Sequence, residues 1–271
     1  MNLLKNDVRG ILFSIEGILR LHVKGEILNK TDLVIATRAL MEVKTMEDLF
    51  GAYGFKLEAL SYAKEKKVKD LTSLEKDVRV AEVKFKSLLK KSAKRFKKTS
   101  NLLLSISWPK KKHVLKAFKS EVKRIDEKIN IRLKPLIMKD EHTLHEIEEG
   151  IHEWRRMIRW ISIYMQGYKH LFYLTPSKHK KTHAALIKKY AKSPFCILGN
   201  QDSPVKIKST VFYKLSDYIV RTGDTKSKAE MDIYLRSKGI ALPKKSYDSE
   251  AHSLFKEYEK QGLLKKIRKS L

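Results

Sequence analysis

Apolar residues recur in this chain at three- and four-residue intervals over stretch after stretch, and little interrupts them. Of 271 residues only 11 are Gly and 6 are Pro, so the backbone has few points at which a helix must stop. The 3.6-residue period runs through segments 6–23, 31–67, 72–107, 110–134, 142–173, 178–193, 209–222, 225–238 and 248–269, and no segment shows clean strand alternation. The pattern predicts an all-α chain of packed helical bundles. Thr31 or Asp32 caps the second segment, which is one helix or two; Gly51 and Gly54 within it mark a close helix contact or a break. Pro109 opens a helix, and Pro135, Pro176 and Pro194 close theirs. Segment 195–208, with Gly199, Asn200 and Pro204, reads as a loop and as the best internal boundary, while Asp224 and Asp248 read as N-caps.

A chain this long, with 42% hydrophobic residues, buries a sizeable core and is not broadly disordered. The apolar run Ile11 to Leu21 is interrupted by Glu16 and Arg20 and preceded by Asp7 and Arg9, so it reads neither as a signal peptide nor as a spanning helix. Cys196 is the only cysteine, which rules out an intrachain disulfide and fits a reducing compartment. Beside Pro194 and Phe195 it reads as a small buried residue rather than a nucleophile. A cytoplasmic location and no membrane partner are the expectations.

Charge narrows the function. The 59 basic residues outnumber the 31 acidic ones, a formal balance of +28, and the excess is segregated. Residues 83–120 hold 13 Lys or Arg and no acid; 154–201 hold 10 and no acid, with His170, His179 and His183 besides; between them, 121–153 carries nine acids against six bases. A solvated helix surface mixes signs and gains from i,i+4 pairs, so segregation leaves the bases of both tracts without sequence-local partners. On a helical wheel of about 100° per residue, Phe85, Leu88, Leu89, Phe96 and Leu103 share an inward arc. Lys84, Lys86, Lys90, Lys91, Lys94, Arg95, Lys97 and Lys98 fill the remainder. Crowded like charges raise the local concentration of an anionic partner and are relieved by it; a Lys-rich surface screened by salt is the plainer alternative. The run Lys110-Lys111-Lys112-His113 at a helix start adds a weaker anion-binding signal.

The sharpest arrangement follows in 144–172. Leu144, Ile147, Ile151, Trp154, Ile158, Ile161, Met165 and Tyr168 form a core stripe. His152, Arg155 and Arg159 lie beside it on one face, with Arg156 close by on the outer side. Forked guanidinium groups hold phosphate bidentately and keep their proton, so this edge suits a row of phosphates. The alternative is an ordinary helix with Glu148–His152 and Glu153–Arg156 pairs.

Ile151-His152-Glu153-Trp154-Arg155-Arg156-Met157-Ile158-Arg159-Trp160 resembles the signature helix of CHAD domains, the conserved-histidine alpha-helical family. The resemblance implies two packed pseudo-symmetric helical bundles with a basic groove or cavity that binds inorganic polyphosphate. It also implies that 1–271 is a single CHAD-like domain with halves 1–135 and 136–271, and that polyphosphate granules are a possible location. His152, Arg155, Arg156 and Arg159 become candidate polyphosphate contacts, joined by Lys84, Lys90, Lys91, Lys94, Arg95 and Lys98 of the first basic tract. The specific match covers about 20 residues. No second His-x-x-Arg-x-x-x-Arg occurs, and the Gly-and-Asp turn expected after the signature helix has only weak echoes near Gly54 and Gly223. The Glu-x-Glu-x-Lys strand of the family's usual triphosphatase companion is missing; Glu146-Ile147-Glu148 lacks the lysine and reads as helical.

Binding without catalysis is therefore the expectation. No Gly-rich phosphate loop, His-Glu-x-x-His pair or nucleophile elbow is present, and no metal or cofactor is expected. Long helices 72–107 and 142–173 should contribute cations to one basic surface. The alternative partner is DNA or RNA, with Trp108, Trp160, Tyr168 and Tyr173 as stacking candidates. In that reading 225–268 is a small DNA-binding unit, with Ser249 to Lys260 as recognition helix, Gly262 as its stop, and Lys265, Lys266 and Arg268 on phosphates; Glu250, Glu257 and Glu259 oppose it. A basic scaffold for acidic proteins is the third possibility.

Overall fold

The computed structural model describes residues 8–139, 147–176, 181–193, 196–240 and 247–271. Asp7, Leu144, Glu146, His179, Pro194, Phe195 and the side chain of Asp248, invoked above, lie outside the described residues. The chain is all-α in character, 81% helical with almost no strand. Packing separates it into two compact units, one drawn from Met1–Pro109 with Glu230–Lys244 and the other from Lys110–Ala229 with Lys245–Leu271. This division differs from halves 1–135 and 136–271, because 110–135 packs within the second unit and the final stretch of one long helix within the first.

In the first unit, α1 (Val8–Lys24), α2 (Lys30–Glu65) and α3 (Thr72–Leu103) pack in sequence, α1 against α2 and α2 against α3. Alanines make the close approach possible: Ala36, Ala39, Ala59 and Ala63 of α2 are completely buried. Ala36, Ala39, Val43, Met46 and Phe50 share a core with Leu12, Leu19 and Phe85. The N-cap of α2 is Asn29, not Thr31 or Asp32. Its side-chain oxygen accepts from the Asp32 amide at 2.9 Å, and its amide group donates to the Asp32 carboxylate at 2.7 Å. Asp32 lies one turn in and serves a second loop by accepting the Ser107 amide at 3.1 Å.

Gly51 and Gly54 leave α2 unbroken, since neither has the positive φ of a helix stop. The helix ends where Lys67 takes a left-handed φ of 56° and the Val68 amide reaches back to the Ala63 carbonyl at 3.1 Å. Nearby, Asp77 on α3 accepts from Lys238 at 2.7 Å and from the Tyr234 hydroxyl, and Tyr62 donates to Asp232 at 2.8 Å.

In the second unit, α4 (Lys111–Lys128) does not stop before Pro135. It widens into a π-turn over Ile129–Leu133 and continues as the short α5 (Lys134–Ile137), whose first turn takes the proline where a missing N–H is tolerated. A second π-turn, Glu148–His152, leads into α6 (Glu153–Gly167) and packs against the first. Ile147, Ile151, Trp154, Ile158, Ile161 and Met165 are buried, as the stripe predicts. Trp154 meets Phe255 and Tyr258 edge-on at 5.0 and 5.2 Å.

Helix α6 ends at Gly167, short of the expected residue 173. Phe172–Thr175 instead forms β1, paired in parallel with β2 (Val205–Lys208) inside the expected loop. The α7 helix covers Lys181–Tyr190. Next, α8 is one helix, Ser209–Ser237, where two were expected. Asp224 lies in its interior rather than at a cap, since the Thr222 and Thr225 hydroxyls bond to the Tyr218 and Arg221 carbonyls without interrupting the helix. The α9 helix (Asp248–Gln261) ends at Gly262, which has a left-handed φ of 55°, and α10 (Leu263–Ser270) packs on α4 and β2.

Candidate functional site

On α3 the inward arc is seated as the wheel predicts. Phe85 packs edge-on to Phe50 at 4.9 Å and stacks with Tyr53 at 5.1 Å, while Leu89, Phe96 and Leu103 flank the same core. This seating fixes the rotation of the helix and turns Lys84, Lys90, Lys91, Lys94, Arg95, Lys97 and Lys98 into solvent. Among the described residues none of these seven makes an ion pair, whereas Lys86, one turn from Glu82, pairs with it at 2.6 Å. The hydrogen bond to Glu82 raises the Lys86 pKa. Lys84, Lys91, Lys94 and Lys98 follow one line along the outside of the helix, about 21 Å from first to last at about 1.5 Å per residue.

The signature segment is placed differently from what an open row of cations requires. His152 Nδ1 bonds to the Glu148 carboxylate. Burial holds the His152 pKa below its ordinary value, Lys226 and Arg155 push the same way, and Glu148 opposes them. Arg156 pairs with Glu153 at 2.5 Å. Glu153 is buried and also takes the Lys128 ammonium at 2.6 Å. Arg155 Nε donates to the Ile219 carbonyl at 3.1 Å, its guanidinium lying against Gly223. A Cβ at residue 223 would come within 2.7 Å of Arg155 Nε, so the bare glycine is what admits this side chain. Arg159 is half-buried. Both contacts of the plainer sequence alternative are therefore formed, Glu148–His152 as a hydrogen bond and Glu153–Arg156 as an ion pair.

Between the two π-turns lies a cleft of about 630 Å³ that brings Lys128, Arg132, His152 and Arg156 together with Glu148, Glu149 and Glu153. Sequence reasoning missed Lys128 and Arg132, because they belong to an acid-rich segment and nothing local in the sequence shows that their shared face meets the Glu148–His152 turn. Three carboxylates line the same walls, two of them, Glu148 and Glu153, being the partners that the plainer sequence alternative gave to His152 and Arg156. Nothing in the sequence signalled the contribution of Gly223, which falls between the expected helices 209–222 and 225–238.

The stacking candidates also sort by burial. Trp160 is buried at 4% exposure, Tyr168 and Tyr173 are half-buried, and Trp108 is 45% exposed. Segment Ser249 to Lys260 falls within α9, which docks through Ala251, Leu254, Phe255 and Tyr258. Its acids are engaged with neighbours: Glu257 with Arg221 at 2.9 Å, Glu259 with Lys134 at 2.7 Å and Glu250 with the Thr225 hydroxyl at 2.9 Å. Cys196 is buried beside the Ser216 hydroxyl, and burial pushes its thiol pKa up, which is how an inert packing cysteine behaves. No described helix is long and apolar enough to cross a membrane. No family model, curated protein or solved structure matches the chain.

Proposed function

We propose that this protein holds a flexible phosphate polymer, inorganic polyphosphate first of all, without catalysing a reaction on it, and that the outer face of α3 is its principal contact. The observation that carries this reading is the row Lys84, Lys90, Lys91, Lys94, Arg95 and Lys98. These cations are solvent-facing and unpaired among the described residues, while His152 and Arg156 of the signature segment are drawn toward carboxylates and Arg155 toward a carbonyl. Lysine is a compact, strongly hydrated point charge on a flexible stem, suited to a polymer that presents charge at every unit without fixed geometry. His152, Arg155, Arg156 and Arg159 enter as a second set of contacts, reached where the polymer competes with Glu148 and Glu153. Nucleic acid is the weaker reading, since Trp160 is buried and Tyr168 and Tyr173 are half-buried, which leaves Trp108 as the one exposed ring of the four candidates.

A competition titration at physiological salt tests the assignment. Labelled long-chain polyphosphate is displaced by unlabelled polyphosphate, single-stranded DNA, duplex DNA or RNA at equal phosphate concentration. Polyphosphate is expected to win by tenfold or more, about 1.4 kcal/mol. Replacing Lys91, Lys94 and Lys98 together by Gln should lower the slope of log affinity against log salt by about 2, each lost contact removing about 0.7 by analogy with single strands. A nucleic acid that wins, or a slope unchanged in the triple variant, refutes the reading.

A further inference from the structure

A phosphate polymer leaves one feature of the same helix uncovered. The outer line of α3 that carries Lys84, Lys91, Lys94 and Lys98 begins at Val80 and ends at Leu102, which are 61% and 44% exposed, and Val83 beside it is 70% exposed. Just past the helix, Leu104 is 87% exposed and Trp108 45%. The turn that presents them is anchored at three points. Ile106 is buried in the core of the first unit, the Ser107 amide donates to Asp32 at 3.1 Å, and the Trp108 ring meets the His22 ring edge-on at 4.9 Å. Leu104 and Trp108 are thus held outward by a braced turn, against the desolvation that favours tucking them in.

We propose that the outer side of α3 and the turn after it form a seat for an anionic lipid surface. Leu102, Leu104 and Trp108 enter the headgroup layer, and Lys91, Lys94, Arg95 and Lys98 lie at the lipid phosphates. Exposed leucines and a tryptophan beside a row of lysines are what an interfacial helix presents. The apolar groups gain from the acyl boundary, the indole suits the headgroup level, and the ammonium groups reach phosphate on flexible stems. The charge is complementary, since each lysine or arginine near an anionic leaflet strengthens association and salt screens the effect. Convex projections from one turn and one helix face favour a deformable surface over a protein with a preformed groove. The sequence expectation of no membrane partner rested on the lack of a spanning segment, and surface seating needs none. The inference shares Lys91, Lys94, Arg95 and Lys98 with the polyphosphate reading but rests on the exposed apolar groups beside them, so the two fail separately.

The full chain is mixed with vesicles of phosphatidylcholine alone and of phosphatidylcholine with phosphatidylglycerol, and co-sedimentation is measured together with tryptophan emission. The expected result is binding to the anionic vesicles only, with a blue shift that is lost in Trp108→Phe. Leu104→Ser, at a solvent-facing position where folding is untouched, should weaken vesicle binding about tenfold or more, because inserting a whole leucine side chain is worth that much. It should leave the polyphosphate titration unchanged. A protein that titrates normally with polyphosphate but ignores anionic vesicles overturns the proposal. So does Leu104→Ser binding vesicles as well as the parent, which would show that the exposed leucine does not enter the headgroup layer. Loss of polyphosphate binding with vesicle binding retained would instead strike only the reading of the preceding subsection.

Discussion

Replacing Lys94 by Glu reverses a charge where α3 is most crowded. Lys94 has Lys90 and Lys98 four residues away and Lys91 and Lys97 three residues away, all exposed and all of the same sign. A like-charge i,i+4 pair destabilises a helix by about 0.2–0.5 kcal/mol, and an opposite pair stabilises it by a similar amount. Each pair therefore swings by roughly 0.4–1 kcal/mol on reversal. Counting only the two i,i+4 pairs gives a gain of about 1–2 kcal/mol at low salt. For a chain of this size 1 kcal/mol corresponds to roughly 2–4 °C in Tm. Most of the gain should vanish at 1 M salt, where the screening length is about 3 Å. Polyphosphate affinity should fall at least tenfold in the same variant, because an attractive contact becomes repulsive. Thermal scans at low and high salt, paired with the titration, read both effects. A variant that binds less but is no more stable at low salt would show that α3 is not under charge strain. A gain that persists at 1 M salt would assign the stabilisation to something other than charge.

Other outcomes follow from single contacts. Glu153→Gln withdraws the countercharge from Lys128 and Arg156; it should cost about 1–3 kcal/mol in urea unfolding and tighten polyphosphate binding if the signature segment is a secondary contact. Asp77 is held at about 2 by its hydrogen bonds to Lys238 and Tyr234, below its ordinary 3.8, so its stabilising share is full above pH 3.8 and is lost as pH falls through about 2. In Asp77→Asn, acid titration followed by circular dichroism should show a shallower loss of stability over that window. Gly199→Ala should destabilise by about 1–3 kcal/mol. Its amide donates to the Lys169 and Phe172 carbonyls at 2.9 and 2.8 Å, and a Cβ would stand only 2.6 Å from the Lys169 oxygen. Chemical denaturation reads this effect, and an unchanged midpoint would show that the loop yields freely.

The helical character, the buried stripe from Ile147 to Met165, the inward arc of α3 and the stop at Gly262 were legible in the sequence, because each depends on periodicity or on one residue's backbone freedom. Strands β1 and β2 were not. Each has four residues, Phe172-Tyr173-Leu174-Thr175 prolongs a helical apolar pattern, and what makes it a strand is its pairing partner more than 30 positions away. The sequence places a junction at 223–224 because Asp224 reads as an N-cap, whereas Gly223 opens room on an unbroken helix for Arg155.

The candidate site divides along the same line. Which residues are basic, and that the lysines of 84–98 face outward together, is a matter of composition and the 3.6-residue period, both local, and the sequence by itself determined it. Whether a cation meets a partner depends on distance through space, and only the tertiary structure decided that. Arg155 donates to a carbonyl 64 positions away, and Lys128 meets Glu153 across 25 positions. Lys128 and Arg132, four residues apart, share a face that any helical wheel shows, but that this face meets the Glu148–His152 turn across a cleft is a matter of tertiary packing.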